Sequence, residues 1–361
     1  MDFSKAYDTI SRPHLWFKLD KLGISGKILG AVKSLYNNTR CSVKTSHGLT
    51  DEFEIKRGLK QGCLISPLLF NLYLNDLVTE LKSLGKGVFI NKEYIPMLLY
   101  ADDIVLFAKS SVELQDMLDK LVDWCNRWGL SLNCDKTKVV HFRSKGRRKT
   151  LYDFKCDDKS LEICDKYRYL GLWFTEHIDI GYMAKQVAAA GHRALGYLVA
   201  KSKCIDFTYE CYSKLYDSLV QSVLDYGSCI WGHYDFKCIN AVQNRAMRFF
   251  LGVPCKTPIS AVQGDMGWTP QYVRQWICIT RQFCYYSKMS DNRLNKCVFK
   301  WALNSRSFNW TSKCKHLFRK CNMVYILDLD VYKSKISTID EIRKYLIEDY
   351  VNNVWLAHLY R

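Results

Sequence analysis

The sequence predicts an α+β fold in which a small antiparallel sheet with packed helices is followed by an all-helical region. Three observations lead to this prediction. Short alternating segments that are typical of strands occur before residue 175. Apolar residues at helical spacing form a long amphipathic segment from Ser111 to about Trp128. Beyond Gly181 the pattern is almost wholly helical.

The elements of the first half follow from end signals and alternation. Two helices are expected over residues 12–38, since Pro13 suits a first helical turn. A long apolar helix is expected over residues 66–84, with Ser66 as a good N-cap and Pro67 at the first helical position. Strands are expected at residues 41–56, 88–90, 94–99, 104–108, 138–143, 152–156 and 167–174.

The second half is divided only by length and charge. We expect the main boundary at residues 175–181. The predicted domains are a sheet-containing domain over residues 1–178, a helical region over 179–255 and a basic helical region over 256–361. Helices are expected at residues 182–200, 208–224, 236–251, 270–289, 310–320 and 339–358.

Charge and composition narrow the class of protein. The 361 residues are 48% hydrophobic and 14% aromatic, which excludes a wholly disordered chain. No apolar run approaches the roughly 18 residues of a membrane span, so we expect an intracellular protein without a membrane partner. The net charge of +17 favours a polyanionic partner, and nucleic acid is the usual one. Solubility alone is the alternative explanation.

The sixteen cysteines do not form a recognisable zinc motif, because no C-x-x-C pair is present. We expect them to be reduced and mostly buried, as small hydrophobic residues.

Two adjacent carboxylates indicate chemistry. Asp102 and Asp103 are predicted at the tip of an apolar hairpin, where ionised neighbours repel each other. A divalent cation would relieve this repulsion, and Asp2 supplies a third hard oxygen ligand suited to Mg²⁺. Two such ions stabilise the attacking and leaving oxygens of phosphoryl transfer. A solvated Asp-Asp turn is the alternative.

The order of these segments resembles the motifs of reverse transcriptases, in the variant of non-LTR (LINE-type) retrotransposons. The resemblance spans residues 1–174. The matching segments are Asp2–Asp8 (motif A), Gln61–Phe70 (motif B), Tyr100–Asp103 (motif C), Gly129–Thr137 (motif D) and Tyr169–Gly171 (motif E, the primer grip). A weaker likeness to the region after the thumb includes Asp225-Tyr226-Gly227 to Trp231.

The resemblance implies a polymerase-type palm followed by a helical thumb and a helical C-terminal region. It implies an RNA-directed DNA polymerase that uses an RNA template, a DNA primer and dNTPs. Asp2 and Asp102 would hold two Mg²⁺ ions with support from Asp103, and Lys136 would protonate the leaving pyrophosphate.

The remaining roles implied by the resemblance concern the nucleic acid and the nucleotide. Tyr7 occupies the aromatic gate position that excludes a ribose 2′-hydroxyl. The nucleotide-binding residues would be Phe3, Ala6, Tyr7, Gln61 and Gly62, and the primer or template would contact Ser66, Pro67, Tyr169, Leu170 and Gly171.

Departures from the family pattern leave alternatives open. The sequence begins at motif A without a fingers region, and Leu64-Ile65 stand where motif B has a proline. We therefore expect an N-terminally truncated copy with weak or no activity, acting in the cytoplasm or nucleus. A non-catalytic RNA or RNA–DNA binding remnant is the main alternative. A metal-dependent nuclease is less favoured, because no histidine lies near the Asp pair.

Overall fold

The computed structural model describes residues 1–305, 309–327 and 338–352 and contains two compact units, Met1–Asp165 and Lys166–Arg361. The first unit mixes helices with short strands, as the α+β prediction requires. The units divide between Asp165 and Lys166. The functional domain limits at residues 178 and 255 stay a prediction.

The first unit contains six helices. The helix predicted as continuous over residues 66–84 is divided at Leu74, where φ is −86° and ψ is −5°. The carbonyl of Tyr73 accepts a hydrogen bond from the Lys18 ammonium at 2.7 Å, a tertiary contact that local periodicity cannot reveal. The helices are α1 (Ala6–Thr9), α2 (Arg12–Lys21), α3 (Gly26–Tyr36), α4 (Ser66–Tyr73), α5 (Asn75–Ser83) and α6 (Ser111–Trp128).

The strands of the first unit are short. Pro96 separates two strands where the sequence predicts one over 94–99, because proline lacks the amide that a ladder needs. The strands are β1 (Arg40–Cys41), β2 (Lys44–Thr45), β3 (Gly48–Leu49), β4 (Phe53–Glu54), β5 (Val88–Ile90), β6 (Glu93–Ile95), β7 (Met97–Tyr100), β8 (Asp103–Leu106), β9 (Lys138–Val139), β10 (Lys155–Cys156), β11 (Lys159–Ser160) and β12 (Glu162–Ile163).

Antiparallel hairpins dominate these pairings. β1 pairs with β4, β2 with β3, β5 with β6, β7 with β8 and β10 with β11, whereas β9 and β12 pair in parallel. The hairpin β7–β8 is extended by residues 1–4, which in turn bond to residues 131–133. These segments form the antiparallel sheet on which the segments of motifs A, C and D meet.

A buried lysine ties α2 to the helices beside it. The ammonium of Lys18 lies 4.4, 4.3 and 3.8 Å from the ring centroids of Tyr73, Trp124 and Trp128 and 2.7 Å from an Asp76 carboxylate oxygen. Burial lowers the pKa of Lys18 from 10.5 to about 8. The carboxylate, the Tyr73 carbonyl and the aromatic faces together solvate the cation inside the core.

The second unit opens with an antiparallel hairpin of β13 (Lys166–Tyr169) and β14 (Leu172–Thr175). Alternation alone predicts a single strand over 167–174, which the turn at Leu170-Gly171 divides; the hairpin formed by these two residues is what the family resemblance implies. The helices that follow are α7 (Ile180–Ser202), α8 (Tyr209–Tyr216), α9 (Ser222–Asp225), α10 (Ser228–Trp231), α11 (Lys237–Leu251), α12 (Ile259–Met266), α13 (Gln271–Lys288), α14 (Leu294–Asn304), α15 (Trp310–Lys320) and α16 (Thr338–Tyr350).

Two apolar cores hold this unit together. One surrounds Tyr216 and Trp231, and the other surrounds Phe283 and Phe318. The helix predicted over 208–224 is interrupted by a π-helical turn, Asp217–Gln221, and α10, α12 and α14 were not predicted. Residues 353–358 of the last predicted helix lie outside the described residues.

The cysteines are free thiols, but fewer are buried than the composition suggested. Cys125, Cys156, Cys284 and Cys314 are buried, and four others, including Cys41, are exposed. The remainder are half-buried, some at the margins of helices and others, such as Cys63 and Cys134, in loops. Among the described residues, no helix is both long enough and apolar enough to cross a membrane.

Candidate active site

The carboxylates of Asp2 and Asp103 lie on neighbouring strands of the central sheet. Asp2 is the antiparallel partner of Asp103, and the Ile104 amide donates to the Met1 carbonyl at 3.0 Å. Directly opposed residues of an antiparallel pair project from the same face. Asp102 stands one residue before Asp103, in the turn of the hairpin β7–β8. The predicted hairpin with carboxylates at its tip is confirmed.

The turn that presents these carboxylates has only two residues, Ala101 and Asp102, between the paired residues Tyr100 and Asp103. Ala101 adopts a left-handed φ of 52°, which is uncommon for a residue with a Cβ atom. Tight hairpin turns require positive φ values of this kind. The sharp reversal keeps Asp102 next to the strand that carries Asp103.

The electrostatics of the cluster reflect its crowding. Burial raises the pKa of Asp103, and the negative charges of Asp102 and Asp2 raise it further. Burial also raises the pKa of Tyr7, again with a contribution from Asp102. The carboxylates therefore repel one another, and a cation bound at the cluster would reduce this repulsion.

Lys136 supplies one such positive charge. Its ammonium lies 3.2 Å from a carboxylate oxygen of Asp2, although 69% of the lysine side chain is exposed. The loop is held in place by Asn133, whose amide donates to the Asp2 carbonyl at 2.8 Å and whose side-chain oxygen accepts from the Lys136 amide at 3.2 Å. The structure thus places the motif D lysine beside the motif A carboxylate.

The chemistry of the donor set fits magnesium, although no group of three or more acidic, His or Cys side chains in the described part of the chain is arranged as a metal site. Mg²⁺ retains several waters and is commonly bound by one or two carboxylates together with substrate phosphates. The opposed pair Asp2 and Asp103, with Asp102 beside it, supplies hard oxygen ligands of this type without a closed protein cage.

Tyr7 lies on α1 close to the carboxylates and is half-buried. Its ring stacks on Phe70 of α4, with centroids 4.9 Å apart and an interplanar angle of 16°. Phe3 also contacts Phe70, edge to face at 6.3 Å. The side chains of Phe3 and Ala6 are buried in the core, so these two predicted nucleotide-binding residues would act through their backbone or by shaping the site.

The loop before α4 packs against α1. The side-chain amide of Gln61 donates to a carboxylate oxygen of Asp8 at 3.0 Å. The Leu59 amide donates to the Tyr7 carbonyl at 2.7 Å. Gln61, predicted to bind the nucleotide, thus has a partner within the protein.

Two glycines bracket this loop in different surroundings. A Cβ atom on Gly58 would lie 2.8 Å from the carbonyl oxygens of Tyr7 and Asp8, whereas a Cβ on Gly62 would have no neighbour within 4 Å. At Gly58, the lack of a side chain therefore allows the backbone of Tyr7 and Asp8 to approach closely. The sequence alone does not show which of the two glycines, Gly58 or Gly62, is in close contact with another segment.

The residues that open α4 are divided between core and surface. Ser66 is buried, and its hydroxyl donates to the Lys60 carbonyl at 2.7 Å and lies 3.2 Å from the Tyr36 hydroxyl. Pro67 is exposed at the start of the helix. Of these two predicted primer or template contacts, only Pro67 presents its side chain to solvent.

The predicted primer-grip residues lie in the second unit, at the turn of the hairpin β13–β14. Tyr169 and Leu172 form the last pair, and Leu170 and Gly171 make the turn with φ values of 45° and 82°. Consecutive positive φ values are typical of a two-residue hairpin turn. The Tyr226 hydroxyl donates to the Leu170 carbonyl at 2.6 Å, a contact that the sequence does not predict.

Residues 1–174 match the model of the family described as reverse transcriptase (RNA-dependent DNA polymerase). The match covers the five ordered motifs, from the Asp2 segment to the hairpin at Leu170. It ends before the helices of the second unit begin.

Curated relatives extend the likeness beyond that region. The chain is 32% identical over 182 residues to the retrovirus-related Pol polyprotein from type-2 retrotransposable element R2DM of Drosophila melanogaster, covering 48% of this chain and 17% of that protein. It is 25% identical over 268 residues to the probable RNA-directed DNA polymerase from transposon X-element of the same species, covering 70% and 28%. For the RNA-directed DNA polymerase from mobile element jockey of Drosophila melanogaster, the values are 23% over 281 residues, 74% and 29%.

The chain spans less than a third of the length of each of these relatives. The family match and the relatives agree with the order of motifs in the sequence and with the carboxylates that the fold brings together. Residues 1–174 are therefore of the reverse transcriptase type and are similar to the polymerases of non-LTR retrotransposons.

Proposed function

We propose that this chain carries the RNA-directed DNA polymerase activity of a non-LTR retrotransposon. The reaction would join the α-phosphate of a dNTP to the 3′-hydroxyl of a DNA primer paired with an RNA template. The observation that carries this proposal is the antiparallel pairing of Asp2 with Asp103, with Asp102 in the adjoining turn, inside a reverse transcriptase domain.

Asp2, Asp102 and Asp103 would hold two Mg²⁺ ions. When bound, such ions increase the nucleophilicity of a hydroxyl and stabilise negative charge on a leaving oxygen. The raised pKa of Asp103 supports this assignment, because burial and the neighbouring carboxylates disfavour its charged form and a bound cation would stabilise it. The net charge of +17 supports a nucleic-acid substrate.

The neighbouring side chains would act on the substrates directly. Lys136, already at the edge of the carboxylate cluster, would hold a proton for the leaving pyrophosphate. Tyr7, braced by Phe70, would present a rigid aromatic edge against a ribose 2′-hydroxyl. Gln61 and Gly62 would contact the nucleotide, which requires Gln61 to exchange its bond to Asp8. We place this activity in the cytoplasm or nucleus.

One observation favours a second function, binding without catalysis. The Lys136 ammonium neutralises Asp2, one of the proposed metal ligands, within the protein itself. A polymerase-derived remnant that binds RNA or an RNA–DNA duplex would retain the basic surface and lack the reaction.

Primer extension on an RNA template separates the two functions. With Mg²⁺ and dNTPs, the wild-type chain should extend the primer, and Asp102→Asn should abolish extension while primer–template binding persists. Asp20→Asn is the matched control, because Asp20 is exposed on α2. No extension by the wild type, together with salt-dependent binding in all three proteins, would contradict the polymerase proposal and favour the binding remnant.

A further inference from the structure

The turn Leu170-Gly171 of the hairpin β13–β14 needs support from outside the hairpin. Leu170 has a φ of 45°, a conformation that residues with a side chain seldom adopt. More than a third of the Leu170 side chain is exposed, so packing of that side chain does not fix the turn. If the turn contacts primer, its position must nevertheless be well defined, since small displacements of positioning groups slow a reaction strongly.

Tyr226, between α9 and α10, supplies this support from a distant part of the sequence. Its hydroxyl donates to the Leu170 carbonyl at 2.6 Å. Its ring lies against the other turn residue, since a Cβ atom on Gly171 would be 2.9 Å from Tyr226 Cε1. The tyrosine therefore contacts both residues of the turn, one by a hydrogen bond and one by van der Waals packing.

Tyr226 is itself anchored in the core of the second unit. The indole of the fully buried Trp231 donates to the Tyr226 carbonyl at 3.1 Å. The next residue, Gly227, has a φ of 64°, and a Cβ atom there would be 2.7 Å from Leu172 Cδ1. Before it, the Asp225 carboxylate accepts from the side-chain amide of Gln221 at 2.8 Å. The segment thus connects the hairpin to the buried helical core of the second unit.

The surroundings of the turn are suited to a polyanion. Arg168, Arg193, Gly171 and Tyr226 line one cavity of about 450 Å³ in the second unit. The Nε of Arg168 donates to the Gly171 carbonyl at 3.3 Å, which leaves its terminal guanidinium nitrogens for a phosphate. The turn that Tyr226 supports therefore lies next to two cationic side chains.

We propose that Tyr226 is a positioning residue that holds the Leu170-Gly171 turn in the geometry required for the primer strand. This inference rests on the proposed polymerase function. It assigns a role to the Asp225-Tyr226-Gly227 segment, which lies outside the region that matches the reverse transcriptase model.

The test compares Tyr226→Phe with Tyr197→Phe in the full chain. Tyr226→Phe removes only the hydroxyl, and Tyr197, 60% exposed on α7, is the matched control. We expect Tyr226→Phe to raise KM for the primer–template about two- to tenfold, the net effect of one hydrogen bond, with KM for dNTP unchanged. Hydrogen exchange of the free protein should be faster over residues 166–175 in this variant alone.

The outcomes distinguish the inference from the function on which it rests. Wild-type extension with an unchanged KM for primer–template in Tyr226→Phe would overturn the positioning role. If the wild type does not extend primers, the polymerase proposal fails, and the role of Tyr226 toward primer fails with it. Unchanged hydrogen exchange over residues 166–175 would refute the structural step independently of any activity.

Discussion

Replacing Gly58 with alanine tests how the loop before α4 is fixed on α1. The added methyl would lie 2.8 Å from the carbonyl oxygens of Tyr7 and Asp8 and 2.9 Å from the Asp8 Cα, all of them backbone atoms that cannot rotate away. Overpacking of this kind costs about 2 kcal/mol. The φ of 81° adds about 1 kcal/mol for a residue with a Cβ. Gly58→Ala should therefore lower the free energy of unfolding by about 3 kcal/mol.

Gly62→Ala is the matched control, because Gly62 has nearly the same φ, 80°, and open space around it. It should lose only about 1 kcal/mol, the backbone contribution. Urea unfolding of both variants gives the two losses, and hydrogen exchange over residues 1–70 assigns them to the first unit. Equal losses in the two variants would refute the steric argument, since only the backbone conformation is common to both.

Three further predictions concern side chains of the first unit. Lys18 has a folded-state pKa of about 8 against 10.5 when unfolded, so the unfolded state binds more protons between these values. The free energy of unfolding should therefore rise with pH over this window by up to about 3 kcal/mol. In Lys18→Met, the urea midpoint of unfolding should no longer rise between pH 8 and 10. Tyr7→Ala should reduce the preference for dNTP over rNTP at least about tenfold, measured as the ratio of kcat/KM values. Phe70→Leu, which keeps Tyr7 and removes the aromatic ring stacked on it, should have a smaller effect. Lys136→Ala should lower kcat at least about tenfold with Tm nearly unchanged, because an ion pair as exposed as that with Asp2 contributes little stability; an unchanged kcat would remove Lys136 from the reaction.

Local signals predicted much of the fold where the chain's own neighbours decide it. The helix over Ser111–Trp128 was predicted with its correct ends, since its apolar stripe lies within the segment and its end signal, Gly129, follows directly. The hairpin that carries Asp102 was predicted for the same reason. The break at Leu74 was not predicted, because Lys18, whose ammonium bonds to the Tyr73 carbonyl, lies 55 residues away along the chain.

The candidate site divides in the same way. The residue types and their order predicted Asp2, Asp102 and Asp103 as an acidic centre, and the fold brings these residues together. Their role in catalysis stays a prediction. The sequence could not show that Lys136 contacts Asp2, nor that Gln61 bonds to Asp8, because both pairs are formed by segments that are distant along the chain.

The sequence by itself therefore determined the fold class of the first unit and the likeness of residues 1–174 to reverse transcriptases, and it predicted the acidic residues proposed for the site. These depend on local periodicity and on side-chain chemistry. Only the tertiary structure decided that Asp2 lies opposite Asp103 and that Tyr226 contacts the hairpin turn. It also decided that the backbone of another segment packs against Gly58, whereas Gly62 has open space around it. Each of these depends on contacts between remote segments, which form when the chain buries its apolar surface and satisfies its backbone hydrogen bonds.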